Sequence, residues 1–312
     1  IFYSLKLEKG DSLLVNTRNI SINDSQKAEY PIFNIPNSAK TWSEINFDYI
    51  LYDKNIKLST RIYRRLFWEY VKKFPRYKIK TLDQDQIFDE IGLSRSDGLT
   101  KLNNILTQYF DENFDEKNGM YSEHLVMLSS ISCINKPIKN ILEIGTFDGK
   151  TALILSKLFE DANILTVDLP ATDVDFESTY NRHNLLQDFV ENRNKNLANK
   201  RIKFLEVNSV ALANSEEKFD LIWIDGAHGY PVVSMDIVNS YRLCNKNGYV
   251  LLDDVWKQVD YSDKFSKSIA SYESLNALKD AKLINNFYLI PKRLGGEYNL
   301  PWTKKYVGLF QL

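Results

Sequence analysis

The chain has 312 residues, which is long for one core and suits about two domains, or one domain with a large extension. Hydrophobic residues make up 44% and charged residues 26%, and 40 basic against 41 acidic side chains leave a net charge of -1, so the balance carries no electrostatic footprint for nucleic acid. The sequence begins at Ile1 and holds neither a run of 18 apolar residues nor a basic-then-apolar leader, and its two cysteines, Cys133 and Cys244, stand far apart in apolar surroundings. No membrane partner is expected from this, and buried thiols in a reducing cytoplasm are.

Residues 12–15 and 19–22 read as short strands, while Tyr30-Pro31 and Ile35-Pro36-Asn37 read as turns and irregular chain. From Ser59 the apolar period becomes helical, with Ile62, Leu66, Tyr70 and Phe74 on one stripe and Pro75 as its stop. Arg61, Arg64, Arg65, Lys72, Lys73, Arg76, Lys78 and Lys80 lie on this helix and just beyond it. A solvated basic face is the plainer reading of that run, and a docking patch for a phosphorylated or carboxylated substrate the sharper one. Helical patterns at 84–91 and 99–110 are split by Ser94-Arg95-Ser96-Asp97-Gly98, and a third runs over 121–134 with Leu125, Leu128, Ile131 and Ile134 on one side. His124, within it, reads as a surface or capping histidine.

Residues 140–151, Asn-Ile-Leu-Glu-Ile-Gly-Thr-Phe-Asp-Gly-Lys-Thr, read as an apolar strand that turns through Gly145 and Gly149 into a helix over 151–159. A sharp turn whose backbone lies against a ligand asks for residues without a Cβ. The spacing is Glu-x-Gly-x-x-x-Gly and not Gly-x-Gly-x-x-Gly. Residues 163–167 form a second strand closing on Asp168, an acid placed for a ribose diol, and the pair of features reads as the nucleoside-binding half of a doubly wound sheet. Residues 171–180 are acidic and turn-like, 184–199 helical, and 202–207 a third strand ending at Asn208-Ser209. The run 219–224, apolar apart from Asp220, reads as a central strand buried on both faces, and it ends on Asp225. A helix over 231–243 and a strand over 248–252 ending on Asp253-Asp254 follow; strands at 287–291 and 306–312, joined by a loop with Gly295-Gly296, close the chain.

The stretch from Glu143 to Asp168 resembles motifs I and II of the class I S-adenosylmethionine-dependent methyltransferases. The resemblance implies an α/β, doubly wound Rossmann-like sheet of order 3-2-1-4-5-7-6 over residues 120–312, preceded by a region, 1–119, for substrate recognition or oligomerisation. It implies that Glu143, Gly145, Thr146, Phe147 and Gly149 hold the methionine end of the cofactor and Asp168, with Leu169 beside it, the ribose. Asn208 and Ser209 would lie at the adenine, Asp225 would also border the cofactor, and Tyr121, Ser122 and Glu123 would be within reach of the methionine group.

Asp225, Asp253 and Asp254 stand at strand ends, where carboxylates brought together repel and are relieved by a cation or by a raised pKa. Their arrangement resembles the metal-dependent O-methyltransferases of catechol, caffeoyl-CoA and macrocin type, which implies Mg²⁺ on Asp225, Asp253 and Asp254. An Asp-Asp pair, where catechol-type enzymes have Asp-Asn, is that of macrocin-type sugar methyltransferases and implies a sugar or polyol hydroxyl as acceptor. The plainer reading is that Asp225 caps its turn and the pair starts a helix or contacts cofactor. His228 stands three residues beyond Asp225, at the offset of the lysine base of catechol-type enzymes; it is a candidate general base, or a residue that orders the turn. The expectation is a magnesium-assisted O-methyltransferase. A metal-independent methyltransferase with His228 as base and a non-catalytic cofactor-binding module are the alternatives. A nucleic-acid methyltransferase is disfavoured, since Asp225-Gly226-Ala227-His228 stands where an Asn/Asp-Pro-Pro-Tyr/Phe motif would.

Overall fold

The computed structural model describes residues 13–15, 32–34, 81–115, 123–176, 186–259, 268–292 and 305–312. The chain divides into two compact units, Ile1–Tyr77 and Lys78–Leu312. In the first, β1 (Leu13–Val15) pairs in parallel with β2 (Ile32–Asn34). The sequence reading marks turns on either side of β2, at Tyr30-Pro31 and Ile35-Pro36-Asn37, and names no strand between them. The strand read at 19–22 and the basic helical stretch that ends at Lys80 lie outside the described residues.

The second unit is built on a seven-stranded sheet. Its strands are β3 (Asn140–Ile144), β4 (Asn163–Asp168), β5 (Ile202–Glu206), β6 (Phe219–Ile224), β7 (Cys244–Val255), β8 (Phe287–Pro291) and β9 (Tyr306–Gln311). Their order is β5-β4-β3-β6-β7-β9-β8, with the first five parallel and β9 antiparallel to both neighbours. Numbered along the sheet's own chain order this is 3-2-1-4-5-7-6, as expected. Side chains alternate between faces with period two. Ile141, Trp223 and Leu251 therefore pack against α1 (Thr81–Ile91), α2 (Arg95–Phe110), α3 (Glu123–Ile131) and α4 (Lys150–Leu158). Leu142, Ile222 and Leu252 pack on the opposite face, against α6 (Val232–Leu243) and α7 (Ala270–Asp280). The remaining helix, α5 (Leu186–Asn196), follows β4.

Several local readings change. The Gly98 that reads as a break lies inside the first turn of α2, which starts at Arg95 behind Ser94, whose hydroxyl accepts from the Asp97 N–H. A Cβ on Gly98 would stand 2.0 Å from Ser130 Oγ and 2.8 Å from the Val126 carbonyl, so this glycine serves a close crossing of α2 and α3. Every residue of α3 is buried, which erases the polar side that a surface helix would show. Cys133 is exposed rather than buried, while Cys244 is buried, and both are free thiols. Helix α7 answers to no element in the sequence reading; only Ala270, Leu275 and Leu278 supply its buried apolar stripe, too thin to stand out as a period. Both α1 and α2 belong to the same compact unit as the sheet, which begins at Lys78. Among the described residues no helix is long and apolar enough to cross a membrane.

Candidate active site

The carboxyl ends of β3, β4, β6 and β7 bring the site together. Gly145, at the end of β3, has φ 98°, and a Cβ there would lie 2.2 Å from the Asp225 carbonyl oxygen. The end of β6, whose Asp225 N–H donates to the Ile144 carbonyl at 2.7 Å, is by itself enough to require glycine here. Gly149, with φ 74°, opens α4, and a Cβ on it would press on Leu197.

Asp168 accepts from the Phe147 N–H at 2.9 Å and from the Leu169 N–H at 2.8 Å, and so ties the glycine turn to the end of β4. Burial pushes its carboxyl above the ordinary value, and those two N–H groups act the other way. A carboxylate has about four lone-pair sites, so each oxygen can still accept from a further donor. Asn208 accepts from the Val210 N–H at 3.0 Å and caps the 3₁₀ turn Ser209–Asn214, which spends its carbonyl oxygen locally.

Glu143 is fully buried in the middle of the sheet, on the same face as its register partners Thr166 and Trp223. The Thr166 hydroxyl donates to Oε2, and Thr146 Oγ1 lies 2.6 Å from Thr166 Oγ1, while Oε1 has no hydrogen-bond partner among the described residues. Burial pushes this carboxyl up to about 8 from its ordinary 4.5. The folded protein therefore holds a proton there that the unfolded chain releases above about pH 4.5, and the associated stability is lost as pH rises through the folded value. Glu143→Gln keeps an acceptor for Thr166 and removes the titration. Between pH 6 and 8 the wild type is expected to lose about 2 kcal/mol relative to the variant, read from urea unfolding. Parallel pH curves would overturn this account of Glu143.

Neighbouring residues of a strand normally face opposite sides of a sheet. Asp254, however, has φ 48°, and the pairing of β7 with β9 is irregular between Leu252 and Val255. This break lets Asp253 and Asp254 reach one lysine. Lys292 Nζ lies 2.8 Å from both Asp253 oxygens and 2.7 Å from Asp254 Oδ1, and Lys305 Nζ lies 2.8 Å from Asp254 Oδ2. Burial works to raise both carboxyls, but Lys292, joined at Asp254 by Lys305, outweighs it and holds both below the ordinary range. Lys292 is itself buried, which works to lower it, and the two aspartates reverse that and hold its proton more tightly than usual.

The three acids do not fit the Mg²⁺ expected of them. A magnesium ion asks for near-octahedral oxygen ligands at about 2.0–2.1 Å. All four oxygens of the Asp-Asp pair already accept from ammonium groups, and a divalent ion there would lie against a buried like charge. No group of three His, Cys, Asp or Glu side chains among the described residues is arranged to hold a metal. Neither lysine is visible in the sequence as a partner. Lys292 follows β8 and Lys305 precedes β9, and only the antiparallel register, with Pro291 opposite Tyr306 and Tyr306 opposite Val255, carries both to the end of β7.

Asp225 keeps 32% of its side chain exposed, and its Oδ1 lies 3.6 Å from His228 Nε2. Burial and then Asp253 push its carboxyl upward. His228 is lowered by burial, against which Asp254 and Asp253 act upward, so its imidazole is neutral near pH 7. His124 is no surface residue: it is buried, stacks on Trp223 with ring centroids 4.7 Å apart, and is lowered by burial to about 4. Glu123 is likewise engaged within the core, accepting from Arg95 Nε and from Gln84 Nε2 at 2.9 Å. Tyr121 and Ser122 lie outside the described residues.

Residues 142–255 match a family described as a methyltransferase domain. Residues 142–255 therefore carry a methyltransferase domain, set on a Rossmann-like sheet. No curated protein matches the sequence. Solved structures similar to it include an O-methyltransferase family protein from Burkholderia thailandensis, at 11% identity over 59% of this chain and 54% of that one, TM-score 0.40. Another is a spermidine synthase from Thermotoga maritima, at 12% identity over 56% and 53%, TM-score 0.38. A third is an O-methyltransferase of tomaymycin synthesis from Streptomyces achromogenes in complex with SAM, at 15% identity over 73% and 95%, TM-score 0.40. The chain spans about half the length of the first two. Within the methyltransferase domain, the matched residues run from β3 to the end of β7 and so include Glu143, Asp168, Asp225, His228, Asp253 and Asp254.

Proposed function

We propose that the domain transfers a methyl group from S-adenosylmethionine to a hydroxyl of a small molecule, a sugar or another polyol, with His228 as general base and no step through a metal. The observation that carries this reading is the His228 imidazole 3.6 Å from the one-third-exposed (32%) Asp225 carboxyl group at the end of the central strand, where open α/β sheets bind their ligands. The bound cofactor supplies an electrophilic methyl group on a sulfonium. With that group in place, His228 would take the proton of the acceptor hydroxyl as its oxygen becomes the nucleophile, S-adenosylhomocysteine being the leaving group. Asp225, 3.6 Å from Nε2, stabilises the imidazolium that results. The residues fit the cofactor: Asp168 retains lone pairs for two ribose hydroxyls, and Glu143 Oε1, with no hydrogen-bond partner among the described residues, is free to accept from the methionine end. The polyol class rests on the Asp253-Asp254 pair, which resembles that of macrocin-type sugar methyltransferases.

Loss of paired charge-assisted hydrogen bonds costs about 1.5 to 3 kcal/mol, so Asp168→Ala is expected to weaken S-adenosylhomocysteine binding about tenfold or more by calorimetry. Unchanged affinity would remove Asp168 from the ribose. Transfer of labelled methyl groups to a panel of sugars, polyols, catechols and thiols tests the acceptor class. Labelling confined to catechols or thiols would overturn the polyol reading.

A further inference from the structure

We propose that Lys292 and Lys305 are the resident cations of this site, holding the place at Asp253 and Asp254 that a divalent metal would otherwise take. The consequence for catalysis rests on the methyl-transfer reading above; the binding chemistry does not. The geometry is that of a closed charge set. Lys292 Nζ meets three carboxylate oxygens at 2.7 to 2.8 Å, and Lys305 Nζ meets the fourth at 2.8 Å. Two ammonium groups against two carboxylates leave no net charge to draw in a dication. The set is also shielded, with Lys292 6% exposed, Asp253 9%, Asp254 14% and Lys305 23%. Low local dielectric strengthens each pairing and makes displacement of Lys292 by a metal costly. The hairpin of β8 and β9 is thereby fastened to β7 through ionic contacts at the carboxyl edge, since Lys292 also donates its backbone N–H to the Lys305 carbonyl at 2.9 Å.

Removing both ammonium groups strands two adjacent carboxylates beside Asp225, an oxygen-rich set of the kind hard divalent ions bind. Mn²⁺ is the probe, read by the loss of its free electron paramagnetic resonance signal, with chelator-washed full-length protein. The wild type is expected to give no saturable binding that Asp254→Asn removes. The double variant Lys292→Met, Lys305→Met is expected to bind one Mn²⁺ per chain, about tenfold or more tighter than the wild type, and to lose it when Asp254→Asn is added. One saturable Mn²⁺ on the wild type that disappears in Asp254→Asn would overturn the proposal, and so would a folded double variant that binds no better than the wild type. Should the double variant fail to fold, the wild-type titration alone decides. Calorimetry of S-adenosylhomocysteine on the same wild-type sample separates the two readings: absent cofactor binding would sink methyl transfer and leave the cation assignment to the Mn²⁺ result.

Discussion

His228→Gln is expected to lower kcat by about 10²- to 10⁴-fold, the usual worth of a positioned general base. The substitution keeps a polar side chain of similar reach and removes only the ability to take a proton near neutrality. Cofactor affinity should barely change, because His228 lies on the turn after β6 with Asp225 and not on the glycine turn. The pH profile is the sharper readout. A base must be neutral to act, so the wild-type rate falls as pH drops through the His228 pKa. Burial sets that pKa below the ordinary 6.5, against the upward influence of Asp254 and Asp253, so the limb lies on the acid side of 6.5. In the variant the limb should vanish. Near-normal kcat with an unchanged limb would assign deprotonation to another group and leave His228 as a residue that orders its turn.

Gly145→Ala is expected to have the largest effect on the fold. A side chain at φ 98° costs about 1–3 kcal/mol of backbone strain by itself. The added Cβ would also stand 2.2 Å from the Asp225 carbonyl oxygen, and backbone cannot yield as the tip of a flexible side chain does. Adding overpacking to strain gives roughly 3 to 5 kcal/mol, measured as a shift of the urea midpoint. Gly92→Ala is the matched control: its φ is 78° and nothing lies within 4 Å of the added Cβ, so only the strain should appear. Because Gly145 separates the ends of β3 and β6, the variant that remains folded should also bind S-adenosylhomocysteine less well. Equal losses in the two glycine variants would show that the strand ends do not approach as closely as described.

How much of this was legible in the sequence depends on the range of the interaction that decides each feature. The run over β6 could be read as a strand because, Asp220 aside, its positions are apolar and the run is too short for a helix, as in a central strand covered on both faces. The glycine turn and the Asp168 strand end were legible for a similar local reason, as left-handed backbone and a strand-to-helix turn favour particular residues. Helix α7 was not, since its stripe is thin, and Gly98 was misread because the reason for it is the side of α3 and not its own chain. His124 carried no signal of burial beyond its apolar neighbours. Its place under Trp223 follows from how α3 lies on the sheet.

The sequence by itself determined the order and type of the sheet's elements and brought Glu143, Asp168, Asp225, His228 and the Asp-Asp pair to strand ends, because periodicity and turn chemistry act over a few residues. Only the tertiary structure decided what neutralises that pair. Lys292 and Lys305 lie 38 and 51 positions beyond Asp254 and reach it through the register of two antiparallel strands. Three acids at strand ends look alike on paper whether a metal or a lysine answers them; their charge is set by the nearest cation in space, and nearness in space is not written in spacing along the chain.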